Sequence, residues 1–389
     1  MNVVTITLRR KYHLFKNAVF FLAKRSAGTA PAEAKFRTKE YHLHLLESGP
    51  STLVNLTRDD ALKFYRQMIL IRKMEEEIDK LYIEEEIRGS CHNCMGEEAL
   101  SIGVEGAIEP GDLVMGGYRN HGWVYTRGLS VREIIAELLG RKTGCAKGKG
   151  GSMHLQAHNF LCTPILGSQV SVGTGFAFAL KYRQANNVAL AVYGDGAANQ
   201  GQVYESFNMA KLWDLPVIYV CENNQVAMNT PVSRASASTS FHNKVNFIPG
   251  IQADGADVLA VREATRFCRE YCLAGKGPII LELVCYRFKP HTIRFPGHVY
   301  RSEQEVQKAR ETLDPVPLFT QRLLARGLAD EATLKDIDLD AEKEVRQGIE
   351  AARSDPIPHT RDAFTDVYFD PPMEFKVRGC DSWTMHDAM

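Results

Sequence analysis

The apolar run Val188–Tyr193 leads directly into Gly194-Asp195-Gly196. A single carboxylate on a tight turn between two glycines can ligate a hard cation while a phosphate approaches the backbone. The next apolar run, Val217–Cys221, leads into Glu222-Asn223-Asn224, so an amide oxygen follows Asp195 by 29 residues. Asp195, Asn224, one backbone carbonyl and two phosphate oxygens would complete an octahedral site for Mg2+, an ion that takes few protein ligands and keeps substrate phosphates. On its own a Gly-Asp-Gly is more often just a tight turn. The Asn-Asn at the end of the following run makes a metal–diphosphate site the better reading.

Other arrangements carry less. Cys91 and Cys94 have zinc-like spacing but no second pair, so they read as packing residues. Gly148–Gly151 lacks the trailing Lys-Ser/Thr of a phosphate loop and reads as a turn or subunit contact. The acidic runs Glu75–Glu77 and Glu84–Glu86 read as a solvated helix face.

Short apolar runs must place these groups. Val188–Tyr193, Val217–Cys221 and Ile279–Val284 alternate with helical stretches over Gln202–Leu212 and Val261–Leu273. That alternation predicts an α/β fold, a doubly wound parallel sheet flanked by helices. Ligands of such sheets lie beyond the carboxyl ends of the strands, where both the GDG and the NN fall. Upstream, residues 57–88 predict one long helix with Thr57 as N-cap and Gly89 as C-cap. Glu97–Ala107 and Val131–Leu139, the latter capped by Ser130, predict further helices. The expected organisation is a transit peptide over 1–30, a helical arm over 31–90, the α/β domain over 91–300, and a helical segment with a polar tail over 301–389.

The chain has 389 residues, 44% of them hydrophobic and 24% charged, enough for a large core and too apolar for wholesale disorder. Lys plus Arg and Asp plus Glu number 47 each, so no overall charge draws the chain to nucleic acid or acidic membranes. No run of about 18 apolar residues is present to span a bilayer. Nine scattered cysteines argue against a disulfide scaffold. The first 30 residues are basic and acid-free, with Leu14, Phe15, Val19 and Leu22 near helical spacing, which predicts a mitochondrial transit peptide and a matrix location.

The pairing of GDG with a downstream NN resembles the thiamine-diphosphate signature of 2-oxo-acid decarboxylating enzymes. The strings GDGAANQG (Gly194–Gly201), VCENN (Val220–Asn224), CHNC (Cys91–Cys94), YRNHG from Tyr118, TRGLSVRE from Thr126 and GKGGSMH from Gly148 are similar to the alpha subunits of the pyruvate branch of that family, over roughly residues 40 to 380. The resemblance implies a thiamine-diphosphate-binding fold and the oxidative decarboxylation of pyruvate with acetylation of a lipoyl group. It implies that Tyr118 and Arg119 hold the diphosphate, a role suited to the planar arginine fork. Asp195, Asn224 and the Val226 carbonyl would hold Mg2+, and Gly196 and Ala197 would face the diphosphate. Pro164 and Leu166 would lie at the cofactor. His92 and His291 would carry proton transfer near neutral pH. Ala157, with His92, Tyr118 and Arg119, would face substrate. Implied partners are a beta subunit, in an alpha2-beta2 heterotetramer that brings the carboxylate activating the cofactor, and a lipoyl-bearing acetyltransferase core. Neither nucleic acid nor membrane is implied.

The sequence departs from the family near this site. Pro164-Ile165-Leu166-Gly167 stands for Gly-Ile-Val-Gly, and Gln225-Val226-Ala227 for Arg-Tyr-Gly. Lys289-Pro290-His291-Thr292 stands for His-Gly-His-Ser. Thr292, Val299 and Pro231 stand where the family has regulatory serines, so a hydroxyl remains at Thr292 alone and the chain is expected to be largely released from kinase control. These departures leave two further readings open: a catalytically silent or regulatory alpha subunit, and a branched-chain substrate.

Overall fold

The computed structural model describes residues 31–294, 300–368, 370, 376–379 and 383–387. The predicted transit peptide lies outside the described residues, as does Val299. Strands run over β1 (Glu33–Arg37), β2 (His42–His44), β3 (Leu53–Thr57), β4 (Leu113–Gly116), β5 (Phe160–Cys162), β6 (Ala189–Gly194), β7 (Val217–Asn223), β8 (Val226–Ala227), β9 (Thr230–Pro231), β10 (Gly250–Asp254) and β11 (Ile279–Val284). Helices run over α1 (Arg58–Ile83), α2 (Glu98–Glu105), α3 (His121–Thr126), α4 (Val131–Leu138), α5 (Ser168–Tyr182), α6 (Gly201–Leu212), α7 (Val232–Ala235), α8 (Val258–Leu273), α9 (Glu303–Leu313), α10 (Pro315–Ala325) and α11 (Glu331–Ser354).

Seven strands form one sheet in the order β2-β10-β11-β7-β6-β4-β5. Every pairing is parallel except that of β2, which lies antiparallel on β10. Successive side chains of a strand point to opposite faces, so each apolar run feeds two cores. Leu190, Val192, Ile218, Val220 and Leu281 join the larger core with α1, α2 and α8. Ala189, Ala191, Tyr193, Val217 and Tyr219 join Val170 and Ala177 of α5 and Val203, Phe207 and Ala210 of α6. Helix α5 sits close against the sheet, because a Cβ at Gly173 would fall 2.6 Å from the Ala191 Cβ. The fold is the expected mostly parallel sheet flanked by helices.

The structure differs from the sequence expectation in places. Thr57 does cap α1 as expected, its side chain accepting from the Asp60 N–H at 3.1 Å. The helix stops at Ile83, short of Gly89, and Glu85 takes a left-handed φ of 62°. Three consecutive glutamates at a helix C-terminus oppose the dipole, which explains the early end. Glu84 and Glu86 instead pair with Arg353 at the end of α11. The arm before α1 holds strands, β1 pairing with β3 in an antiparallel ribbon. Strands β4, β5 and β10 also went unpredicted.

The tail after α11 folds back on the basic loop that follows α4. Asp355 pairs with Arg132, Asp362 lies 2.6 Å from the Lys142 Nζ, and Asp366 lies 2.6 Å from Lys147 and 2.9 Å from Lys149. Within that loop the Glu137 carboxylate accepts from the backbone N–H groups of Ala146, Gly148, Gly150 and Gly151 at 2.7 to 3.1 Å. The Gly148–Gly151 segment is therefore a turn built around an internal anion. Among the described residues no helix is long and apolar enough to cross a membrane.

Candidate active site

Four neighbouring strands, β4, β6, β7 and β11, deliver the candidate residues from their carboxyl ends. Tyr118 and Arg119 follow β4, Asp195 to Ala197 follow β6, Asn224 to Val226 follow β7, and His291 lies beyond β11. They line one cleft, together with Leu166, Gln169, Glu222 and Met228. Of the residues singled out in the sequence, Tyr118, Arg119, Leu166, Asp195, Gly196, Ala197, Asn224, Val226 and His291 meet in this cleft. His92 stands behind the wall, its ring centroid 4.3 Å from that of Tyr118 and 5.1 Å from that of His291.

Two predicted residues are not brought there. Pro164 is not part of the lining, although Leu166 two residues on is, because Gly167 turns the chain into α5 with a φ of 89°. Ala157 bridges to Phe160 in the bend before edge strand β5 and lines no part of the cleft.

The donor set fits a cation and an anion held together. Asp195 is 3% exposed, and its Oδ2 is buried with no hydrogen-bond partner. Burial holds its carboxyl up at about 6. An unpartnered buried carboxylate oxygen is costly unless a cation meets it. Asn224 and Val226 line the same cleft, and a Cβ at Gly196 would come 2.6 Å from the Ala227 Cβ. The turn between them is strained: Gln225 and Met228 adopt φ of 67° and 52° without being glycine.

Positive charge comes from Arg119 and Arg287. Arg287 is 2% exposed and donates to the carbonyls of Lys289 at 3.2 Å and Val226 at 3.4 Å. Burial, with Arg119 nearby, lowers its guanidinium to about 10. Burial and Arg119 also hold the two imidazoles neutral, His92 at about 2 and His291 at about 3. Contrary to the expectation from the sequence, the protein alone poises neither histidine near neutral pH.

Three charged residues of the site escaped that reading. Glu222 follows the apolar run of β7; burial and the Glu97 charge push its carboxyl up to about 8, and Trp123 Nε1 donates to it at 2.9 Å. Arg287 closely follows β11, and Glu97 stands just before α2. A lone charge in or beside an apolar run is the signal that could have found the first two.

Next to the cleft, Glu75 accepts from His121 Nδ1 at 3.0 Å, and His121 Nε2 lies 2.8 Å from Ser152 Oγ. The order of groups is that of a hydrolase triad. All three are buried, and the Glu75 charge raises His121 to about 10 against its burial, so the imidazole cannot take the serine proton. Glu75 is therefore a buried structural ion and not part of a solvated helix face. Its Oε1 also accepts from the Cys94 backbone N–H at 2.9 Å, which ties the CHNC segment to α1.

A family model described as "Dehydrogenase E1 component" matches residues 66–361. The chain belongs to this family. The E1 component family depends on thiamine diphosphate, which suits the cleft's donor set. The chain is 49% identical over 353 residues to the pyruvate dehydrogenase E1 component subunit alpha, somatic form, mitochondrial, of Homo sapiens, covering 90% of each chain. It is 49% identical over 346 residues to the testis-specific form of Rattus norvegicus, covering 89% of this chain and 88% of that one. It is 47% identical over 359 residues to the mitochondrial E1 alpha subunit of Sminthopsis macroura, covering 92% and 98%.

Proposed function

We propose that the chain is the alpha subunit of a mitochondrial pyruvate dehydrogenase E1 component. In this role it binds thiamine diphosphate with Mg2+ and works with a beta subunit to decarboxylate pyruvate and acetylate lipoyl groups of an acetyltransferase core. The observation that carries this reading is the convergence of Asp195, with its orphaned Oδ2, on Asn224, Arg119 and His291 in one cleft.

Asp195, Asn224 and the Val226 carbonyl hold the metal. Tyr118 and Arg119 hold the diphosphate, and Gly196 lets the backbone come close to it. When bound, thiamine diphosphate supplies the nucleophile and the electron sink for decarboxylation. Tyr118 and His291 stand in the wall with ring centroids 5.8 Å apart, and His92 packs behind both. Anionic phosphates beside Arg119 would offset its share in holding both histidines neutral, while the burial that contributes most to that state remains. The exposed apolar side chains Val172, Phe178 and Tyr182 of α5, with Leu212 and Trp213 at the end of α6, support a subunit partner.

A catalytically silent subunit is the weaker reading. Pro164 stays out of the cleft, and Lys289 is paired with Asp79 on α1. The test is co-expression with a pyruvate dehydrogenase beta subunit, titration with thiamine diphosphate and Mg2+, and an assay of pyruvate against branched 2-oxo acids. Saturable binding with turnover of pyruvate is expected. A stable heterotetramer that binds no cofactor would overturn the proposal.

A further inference from the structure

Glu97 is 5% exposed and touches two residues of the cleft at once. Its Oε1 accepts from Asn224 Nδ2 at 2.8 Å, and its Oε2 lies 3.5 Å from Arg119 Nε. An ionised carboxylate only accepts hydrogen bonds, so the atom of Asn224 turned toward it must be the NH2 group. The amide oxygen is thereby turned the other way, where it accepts from the Val226 N–H at 3.4 Å, in a residue that lines the cleft together with Asp195. Arg119 is held as firmly. Nε faces Glu97, Nη1 donates to the Asn93 carbonyl and Nη2 donates to the His291 carbonyl at 3.3 Å. Each Nη keeps one further N–H free for an anion.

We propose that Glu97 is the positioning residue that sets the Asn224 amide and the Arg119 guanidinium for the metal–diphosphate pair. The inference rests on the function proposed above and deepens it. Without this carboxylate the Asn224 amide can rotate by half a turn and present N–H groups to the cation. Glu97 touches neither cation nor phosphate and acts through its neighbours, as outer-shell partners of metal ligands do.

The test uses the heterotetramer with thiamine diphosphate and Mn2+ as the probe, the free ion being counted by its electron paramagnetic resonance signal. Glu97→Leu is expected to weaken Mn2+ binding by about tenfold or more, while Glu97→Gln, which keeps an acceptor, loses only about threefold. The sharper arm reverses the bond. Asn224→Asp sets acceptor against acceptor and weakens binding. Adding Glu97→Gln to it restores a donor and should recover most of the lost affinity, a rescue that a merely structural residue would not give. Glu97→Leu binding Mn2+ like the parent, or a double variant no better than Asn224→Asp, would overturn the inference. If Glu97→Leu does not assemble, the bond reversal decides alone. A parent heterotetramer that binds neither thiamine diphosphate nor Mn2+ would instead overturn the proposed function itself.

Discussion

Lys289 reaches across from the loop that carries His291 and forms an ion pair with Asp79 on α1. Asp79 also accepts from Asn93 Nδ2 at 3.3 Å, and the Asn93 carbonyl accepts from Arg119 Nη1. A lysine in place of the family's histidine thus gives this loop an anchor of its own. Lys289→Ala should free the loop while leaving the buried Asp79 with a weaker partner, at a cost of about 1 kcal/mol. The readout is amide exchange. Residues 288–294 should exchange faster while α1 stays protected, and pyruvate turnover should fall with cofactor affinity little changed. Unaltered exchange in that stretch would show that Lys289 anchors nothing.

His121 gives the protein a defined pH profile. Its folded pKa, raised to about 10 mainly by the Glu75 charge, lies above the unfolded value of about 6.5. The stability this contributes is complete below about pH 6.5 and is lost as pH rises toward 10, at no more than about 1.4 kcal/mol per pH unit. Denaturant melts at pH 7 and pH 9.5 should show that loss in the parent. Glu75→Gln removes the charge that lifts the histidine, so its melts should differ less between the two pH values. Equal slopes for parent and variant would refute the assignment.

Gly196→Ala tests the turn itself. The added methyl group meets the Ala227 Cβ at 2.6 Å and must push the strand carrying the Val226 carbonyl. Overpacking of this kind costs about 1–3 kcal/mol. The loss should be seen in thiamine diphosphate titrations, as at least tenfold weaker binding, more than in the melting temperature. Affinity equal to the parent's would mean that the close approach of Gly196 and Ala227 is not needed for the cofactor.

The parts of this site legible in the sequence were those announced by local contrast. Asp195 and Asn224 each end an apolar run, and the strand period alone places both at one edge of the sheet. Glu97 could not be read that way, because it matters through a residue more than 120 positions distant, Asn224. Glu75 was misread for a related reason. Three adjacent glutamates on a helix point in directions 100° apart, and only the first turns toward His121. Strands β4 and β10 are short and carry glycine or polar residues, and the neighbouring strands that hold them in place are remote in sequence.

Four N–H groups share the one carboxylate of Glu137 in the turn through Gly148 and Gly151. Releasing any of them leaves a buried charge short of a donor, so the remaining three lose part of their reason to stay. The turn has no cheap half-open state, and its four amides come and go as one unit.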